Sequence, residues 1–232
     1  NMETKLSKRL ETVADFVPQG ARLVDVGSDH AYLPLFLVEQ KRIDFAIAGE
    51  VVQGPYQSAL QNVELAGRSD MIQVRLANGL AAVEEQDQIS AVTIAGMGGR
   101  LIADILEAGK EKLGSVERLI LQPNNREDDV RNWLVQNQFK LIAEEIVEEN
   151  DKIYEILVAQ KGSMDLTATQ LRFGPFLSIK HSPVFQKKWL KELDKLSMAL
   201  EQVPHERQGD RSAISQKMDQ IKEVLHVSKE RH

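Results

Sequence analysis

The residues of this chain with the chemistry to hold a nucleotide-like ligand begin at Asp25-Val-Gly-Ser-Asp-His-Ala31. A glycine turn between a strand and a helix is where α/β folds receive nucleotides. A dinucleotide fingerprint needs three glycines and seats a pyrophosphate at the helix N-terminus, whereas this loop has the single Gly27 and a carboxylate, Asp29, that would repel phosphate. The acidic loop suits a nucleoside cofactor that carries cationic groups instead. S-adenosylmethionine is such a ligand, with an ammonium and a sulfonium. Asp25 or Asp29 is then a candidate for the ammonium, with Gly27, Ser28 and His30 around it. The competing reading makes Asp29 the N-cap of the following helix.

Glu50 follows Gly27 by 23 residues, the spacing at which an acidic side chain meets a ribose diol, and Val51 stands beside it. Asn78-Gly79 offers an amide for an adenine edge, or else a plain turn. In Ala95-Gly96-Met97-Gly98-Gly99, three glycines in four positions exceed what one tight turn requires and are expected to form a ligand wall. Gln122-Pro-Asn124-Asn125 presents two amides: Asn124 is the candidate for contact with a heterocycle at the reacting centre, and Asn125 is expected to cap the next helix.

These residues need a common edge. Short apolar runs at 22–27, 45–50, 72–76, 91–95 and 118–122 alternate with segments of helical period, the pattern of a parallel sheet covered on both faces. Within 54–66, Ala59, Leu60, Val63 and Ala66 form a stripe ahead of Gly67, an expected helix stop. Val130, Trp133 and Leu134 form another. Runs at 141–147 and 153–159 are separated by a polar turn too short for a helical crossover, so they form an antiparallel hairpin. A parallel sheet closed this way is the Rossmann-like α/β layout of class I methyltransferases.

A linker is expected at 162–165, dividing a catalytic domain of residues 1–162 from a helical domain of residues 163–232. There Phe185, Trp189, Leu193, Leu196, Leu200 and Val203 recur at three- and four-residue steps, as do Ile214, Met218, Ile221 and Leu225. The pair predicts an antiparallel helical hairpin, a small coiled coil.

The 232 residues include no cysteine, which removes disulfides, thiolate metal sites and cysteine nucleophiles. The five His residues lack ligand spacing, so no metal is expected. No apolar run approaches the roughly 20 residues of a membrane span and no signal-peptide pattern is present, so a cytoplasmic protein, monomeric by default, is expected. The net charge of −6 is uneven: residues 1–162 carry 17 Lys and Arg against 26 Asp and Glu, and residues 163–232 carry 12 against 9. Lys180, Lys187, Lys188, Lys191 and Lys195 cluster about Trp189. With Lys5, Lys8 and Arg9 they are candidates for contact with RNA, and the alternative is a solvated helix face.

Taken together, Asp25-Val-Gly-Ser-Asp-His-Ala-Tyr-Leu-Pro34, Gly49-Glu-Val-Val-Gln-Gly-Pro-Tyr56, Ala95-Gly-Met-Gly-Gly99 and Leu121-Gln-Pro-Asn124 resemble the bacterial tRNA adenine-22 N1-methyltransferases. The likeness runs through the hairpin that follows Phe173-Gly-Pro-Phe176. It implies methyl transfer from S-adenosylmethionine to N1 of adenine 22 in tRNA. By position it implies that Gly27 and its neighbours contact the cofactor, Glu50 the ribose, and Asn78, where Asp is usual, the adenine end. Neutral adenine N1 carries a lone pair and no proton, so the reaction needs alignment more than a strong base. Asp29 could stabilise the cationic product. Tyr32 and Tyr56 are candidate stacking surfaces for a base drawn out of its helix, with buried packing as the alternative. The competing functions are a methyltransferase for another RNA, a protein or a small molecule; a nicotinamide or flavin oxidoreductase; and a non-catalytic interaction protein that dimerises through the helical seam.

Overall fold

The computed structural model describes residues 3–230, with side chains through 226; Asn1, Met2 and residues 231–232, the ends of the two expected domains, lie outside. A seven-stranded sheet has the order β3-β2-β1-β4-β5-β7-β6. Its strands are β1 (Arg22–Val26), β2 (Phe45–Glu50), β3 (Ile72–Leu76), β4 (Ala91–Met97), β5 (Arg118–Pro123), β6 (Phe139–Glu149) and β7 (Lys152–Lys161). β1 to β5 are mutually parallel where they pair, and β7 runs antiparallel to both β5 and β6. This is the expected Rossmann-like sheet closed by an antiparallel hairpin.

Alternation along the buried strands sends neighbouring side chains to different cores. In β1, Leu23 joins the layer beneath α1 (Lys8–Asp15), α2 (Tyr32–Glu39) and α3 (Gln53–Leu65). Its neighbour Val24 joins the layer beneath α4 (Gly99–Ala108) and α5 (Glu127–Gln136). In α3, Ala59 and Val63 are buried as expected but Ala66 is exposed, because the helix ends at Leu65 and Gly67, at φ +69°, turns the chain away. Among the described residues no helix is long and apolar enough to cross a membrane.

The C-terminal hairpin is α8 (Pro183–Gln202) and α9 (Gln208–Glu230), and Arg211 closes its loop by donating to the carbonyls of Leu200 and Val203 at the end of α8. Its core is at the base rather than along the whole seam. Phe185, Trp189, Ile221 and Val224 are buried with Phe173 and Leu177 against Ile146 of β6, whereas Leu193, Leu196 and Leu225 are only partly covered. Two short helices that periodicity did not reveal, α6 (Ala168–Phe173) and α7 (Leu177–Lys180), complete this base. The expected linker is not free either, since Met164 packs on the α4/α5 layer.

Charge ties the hairpin to the sheet. Arg131 on α5 is fully buried and donates to Glu144 of β6 at 2.7 Å and to Glu155 of β7 at 2.6 Å. Glu155 also pairs with Lys188 of α8, which reaches Glu127 at 2.8 Å. Lys188, a candidate RNA contact from sequence, is thereby corrected to a structural residue whose ammonium faces inward. Burial pushes the Glu155 carboxyl up, but Lys188 and Arg131 together hold it below its ordinary value. Glu144 Oε1 accepts from the backbone N–H groups of Phe176 and Leu177, and a Cβ on Gly174 would strike both Glu144 and Arg131. The Gly174-Pro175 elbow therefore rests on the ion pair. Arg131→Met strips buried Glu144 of its cation and leaves Glu155 with Lys188 alone, and is expected to cost about 3–5 kcal/mol. Urea unfolding checks this, and a loss below about 1 kcal/mol would show that the network does not hold the junction.

Candidate active site at the carboxyl edge

The strand order reverses between β1 and β4, so the turns after these two strands leave for opposite faces and open a crevice between them. Gly27 (φ +68°) and Met97 meet across it: a Cβ on Gly27 would run into Met97 Cε. The N–H groups of Gly27 and Ser28 both donate to the Gly49 carbonyl at 3.0 Å, tying the loop after β1 to the end of β2.

Asp25 anchors this loop. It is 4% exposed, and its carboxylate accepts from Ser28 Oγ and Thr93 Oγ1, each at 2.8 Å. Burial pushes the Asp25 carboxyl up to about 6, against the lowering effect of those hydroxyls. Asp25, a candidate for the ammonium from sequence, is an anchor instead, because both oxygens are committed to the loop and to β4.

Asp29, His30 and Ala31 all have positive φ, at 47°, 67° and 60°. Consecutive left-handed residues other than glycine are strained by about 1 kcal/mol or more each, and strain of this kind concentrates at functional loops. Three contacts hold it. Glu50 Oε2 accepts from Asp29 N at 2.5 Å, Asn62 Nδ2 donates to the His30 carbonyl at 2.9 Å, and His30 Nδ1 lies 2.5 Å from Ser58 Oγ. The expected N-cap role of Asp29 is corrected: α2 begins at Tyr32 after Ala31, with no side-chain cap. The Asp29 side chain is 78% exposed and sits 3.3 Å from His30 Nε2. Water screens a carboxylate so placed, which weakens its case as a stabiliser of charge at the reacting centre; its main-chain N–H is what enters the site. Tyr32 stacks on His30 with ring centroids 5.1 Å apart and keeps 44% of its surface open, and Tyr56 on α3 is half-buried.

Glu50 ends β2 with its side chain buried, and burial raises its carboxyl above the ordinary value. Val51 and Val52 follow as exposed apolar side chains. Asn78 is exposed at the end of the neighbouring strand β3, and with Gly79 it lines a cleft against Leu101, Asp104 and Ile105 of α4. Thus Gly27, Ser28, His30, Glu50, Val51, Asn78, Gly79, Ala95, Gly96 and Met97 come together on one edge.

The expectation that all three glycines form a ligand wall is corrected. Gly99 is pressed against the carbonyls of Asn125 and Arg126, and a Cβ on Gly98 would come within 3.2 Å of Asn125 Oδ1. Of the three, Gly96, at φ +82°, is the exposed one, and a Cβ there would meet only Arg9 within 4 Å. Asn125 does not cap α5, whose N-cap is Arg126; its side chain accepts from Gly99 N at 3.2 Å and so caps α4. Asn124 is exposed, with its N–H donating to the Met97 carbonyl at 2.7 Å. Sequence reasoning missed Gln122, fully buried at the centre of this edge and bonded to Arg9, Gly96 and Asn124. A glutamine inside an otherwise apolar strand was the available signal.

Residues 23–224 match the family described as tRNA (adenine(22)-N(1))-methyltransferase. A Bacillus subtilis protein of that name is 45% identical over 98% of this chain and 97% of its own length. The structure of Streptococcus pneumoniae Sp1610 in complex with S-adenosyl-L-methionine is 62% identical, covers 96% of this chain and 100% of that one, and superposes with a TM-score of 0.91. M. capricolum TrmK in complex with S-adenosyl-homocysteine is 28% identical, covers 96% and 98% of the two chains, and gives a TM-score of 0.87.

The loop anchor makes a prediction in pH. The Asp25 carboxyl titrates near 6 in the folded chain against 3.8 ordinarily, so the native state holds its proton longer than the unfolded state, and the stability this confers is full below about 3.8 and lost as pH rises through 6. Asp25→Asn removes the loss. Its stability relative to wild type should climb by on the order of 2–3 kcal/mol from about pH 4 to about pH 7 in urea unfolding. A difference that stays flat over that window would contradict the assignment.

Proposed function

The chain belongs to the tRNA (adenine(22)-N(1))-methyltransferase family, and on that premise we propose that it methylates N1 of adenine 22 in tRNA from S-adenosylmethionine held at the crevice just described. The observation that carries the cofactor reading is the donor set. Glu50, Asp25 and Asp29 surround the loop with acid, which suits a cationic nucleoside and opposes a pyrophosphate. Glu50 would accept from the ribose hydroxyls while its other contact, to Asp29 N, keeps the loop closed on the sugar. Val51 offers an apolar surface to the adenine ring and Asn78 an amide to its edge. Gly27 and Gly96 let backbone approach the methionine part.

When bound, S-adenosylmethionine supplies a methyl group on a cationic sulfur, so that one N–C bond forms at adenine N1 as one C–S bond breaks, the electron pair stays on sulfur and the positive charge passes to the base. The protein's residues align and shield rather than deprotonate, because neutral N1 has no proton to lose. Asn124 on its short tether to Met97 faces the target base, and the exposed ring of Tyr32 offers it or a neighbouring base a stacking surface.

The RNA body would lie along cations gathered beside the crevice. β7 opposes β5 with Leu157 against Leu121, so the turn before β7 extends past the carboxyl edge. There Lys8 of α1 and Lys187 of α8 both reach Glu148, with Lys191 nearby, and the N–H groups of Lys8 and Arg9 donate to Glu149. Lys5 and Lys180 are exposed on the segments flanking this group. Residues 163–232 act as the RNA-holding domain and residues 1–162 as the catalytic one. The enzyme works in the cytoplasm on tRNA, as a monomer and without a metal.

Labelled S-adenosylmethionine and unmodified tRNA should give methyl incorporation that disappears when adenine 22 is replaced by guanine; incorporation that survives the replacement would move the target elsewhere. Lys187→Glu with Lys191→Glu should weaken tRNA binding roughly tenfold at moderate salt and flatten its salt dependence, with cofactor affinity unchanged. Equal affinity and equal salt slope would remove this face from the RNA path.

A further inference from the structure

Gln122 lies at the centre of a short chain of hydrogen bonds whose polarity can be worked out from its ends. Arg9 Nη1 lies 2.6 Å and Gly96 N lies 2.9 Å from the Oε1 end of its amide. Guanidinium and peptide N–H groups only donate, so the oxygen of Gln122 must face both. Its nitrogen is thereby turned to Asn124 Oδ1, at 3.1 Å. Asn124 Oδ1 accepts one hydrogen bond there and keeps its second lone pair, while Nδ2 is turned away from Gln122. Gln122 is fully buried, so its amide has no water against which to reverse.

Arg9 is itself held. Its backbone N–H donates to Glu149 Oε1 at 3.2 Å, and its guanidinium lies 5.5 Å from the centre of the Tyr154 ring. The candidate RNA contact of the sequence is thus directed into the protein, beside Gly96, and not out to the phosphates.

The Hoogsteen edge of adenine pairs an acceptor, N7, with a donor, the N6 amine, and an Asn amide matches both at once. That leaves N1 open on the far side. Guanine presents two acceptors, O6 and N7, on the same edge, and a fixed amide oxygen meets one of them unfavourably. We propose that Arg9 is a positioning residue which, through Gln122, locks the Asn124 amide to read the Hoogsteen edge of the target base and so selects adenine over guanine. The proposal rests on the reading that Asn124 faces the target base.

The test compares tRNA transcripts carrying adenine or 7-deazaadenine at position 22. Wild type should lose about tenfold in kcat/KM on the deaza base, the worth of one hydrogen bond in a shielded site. Arg9→Met should lower kcat/KM on adenine and reduce the deaza penalty in part, because the Gly96 N–H alone still holds the Gln122 oxygen, with cofactor affinity unchanged; Arg9→Lys, which keeps a donor, should restore part of both. Gln122→Glu retains an acceptor for Arg9 and Gly96 but cannot donate to Asn124. The Asn124 amide then turns over, and the penalty should vanish although Arg9 is in place. If Arg9→Met does not fold, Gln122→Glu and the wild-type comparison decide. A wild-type enzyme indifferent to N7, or a full penalty in the folded variants, overturns the proposal alone. Absence of transfer to the unmodified adenine transcript overturns the reaction itself and this proposal with it.

Discussion

Parallel strands deliver every strand-to-helix turn to one edge of the sheet, and the reversal of order between β1 and β4 sends the turns there to opposite faces. Everything at the site follows from this constraint. α2 and α3 cover one face and α4 and α5 the other, so the loops after β1 and β4 must part, and Gly27 and Met97 line the gap. The closest approach is between a glycine with no side chain and a methionine that can adjust, which is how the two walls stay near without filling the space for a ligand.

Opening a crevice at the end of a buried sheet leaves polar groups inside, and each must find a partner. Thr93 and Ser28 supply Asp25, Asp29 N supplies Glu50, and Gly96 N with Arg9 supplies Gln122. The bond to Glu50, with those of Asn62 and Ser58 to His30, also holds the loop from Asp29 to Ala31 in a left-handed run that such residues avoid. Satisfaction of buried groups and shaping of the site are therefore one act. The glycines divide accordingly: Gly96 stays exposed, while Gly98 and Gly99 make room for the β5–α5 loop, whose Asn125 caps α4.

The C-terminal hairpin is joined to this machinery by charge as much as by apolar contact. Arg131, Glu144, Glu155 and Lys188 come from α5, β6, β7 and α8, and loss of any one of them leaves a buried charge short of its partner. Such a junction fixes the hairpin relative to the crevice. The lysines Lys8, Lys187 and Lys191 about Glu148 are thereby held at a fixed distance from the crevice.

Periodicity in the sequence determined the sheet, its closing hairpin and the helical pair, because alternation and the 3.6-residue repeat follow from local backbone geometry and from which face is buried. The spacing of Gly27 and Glu50 made their meeting at the crevice legible for a similar reason: a strand, a turn and a helix of ordinary length place both on one edge. Tertiary structure alone decided which polar side chain met which. Asn125 caps a helix 26 residues upstream of itself, Lys188 turns inward to a carboxylate 33 residues away, and Arg9 reaches across 113 residues to Gln122. In sequence these read as a local cap and as free cations. Hydrogen bonds and ion pairs are short in range and indifferent to chain separation, so no local period encodes them, and their partners exist only once the sheet has brought distant strands together.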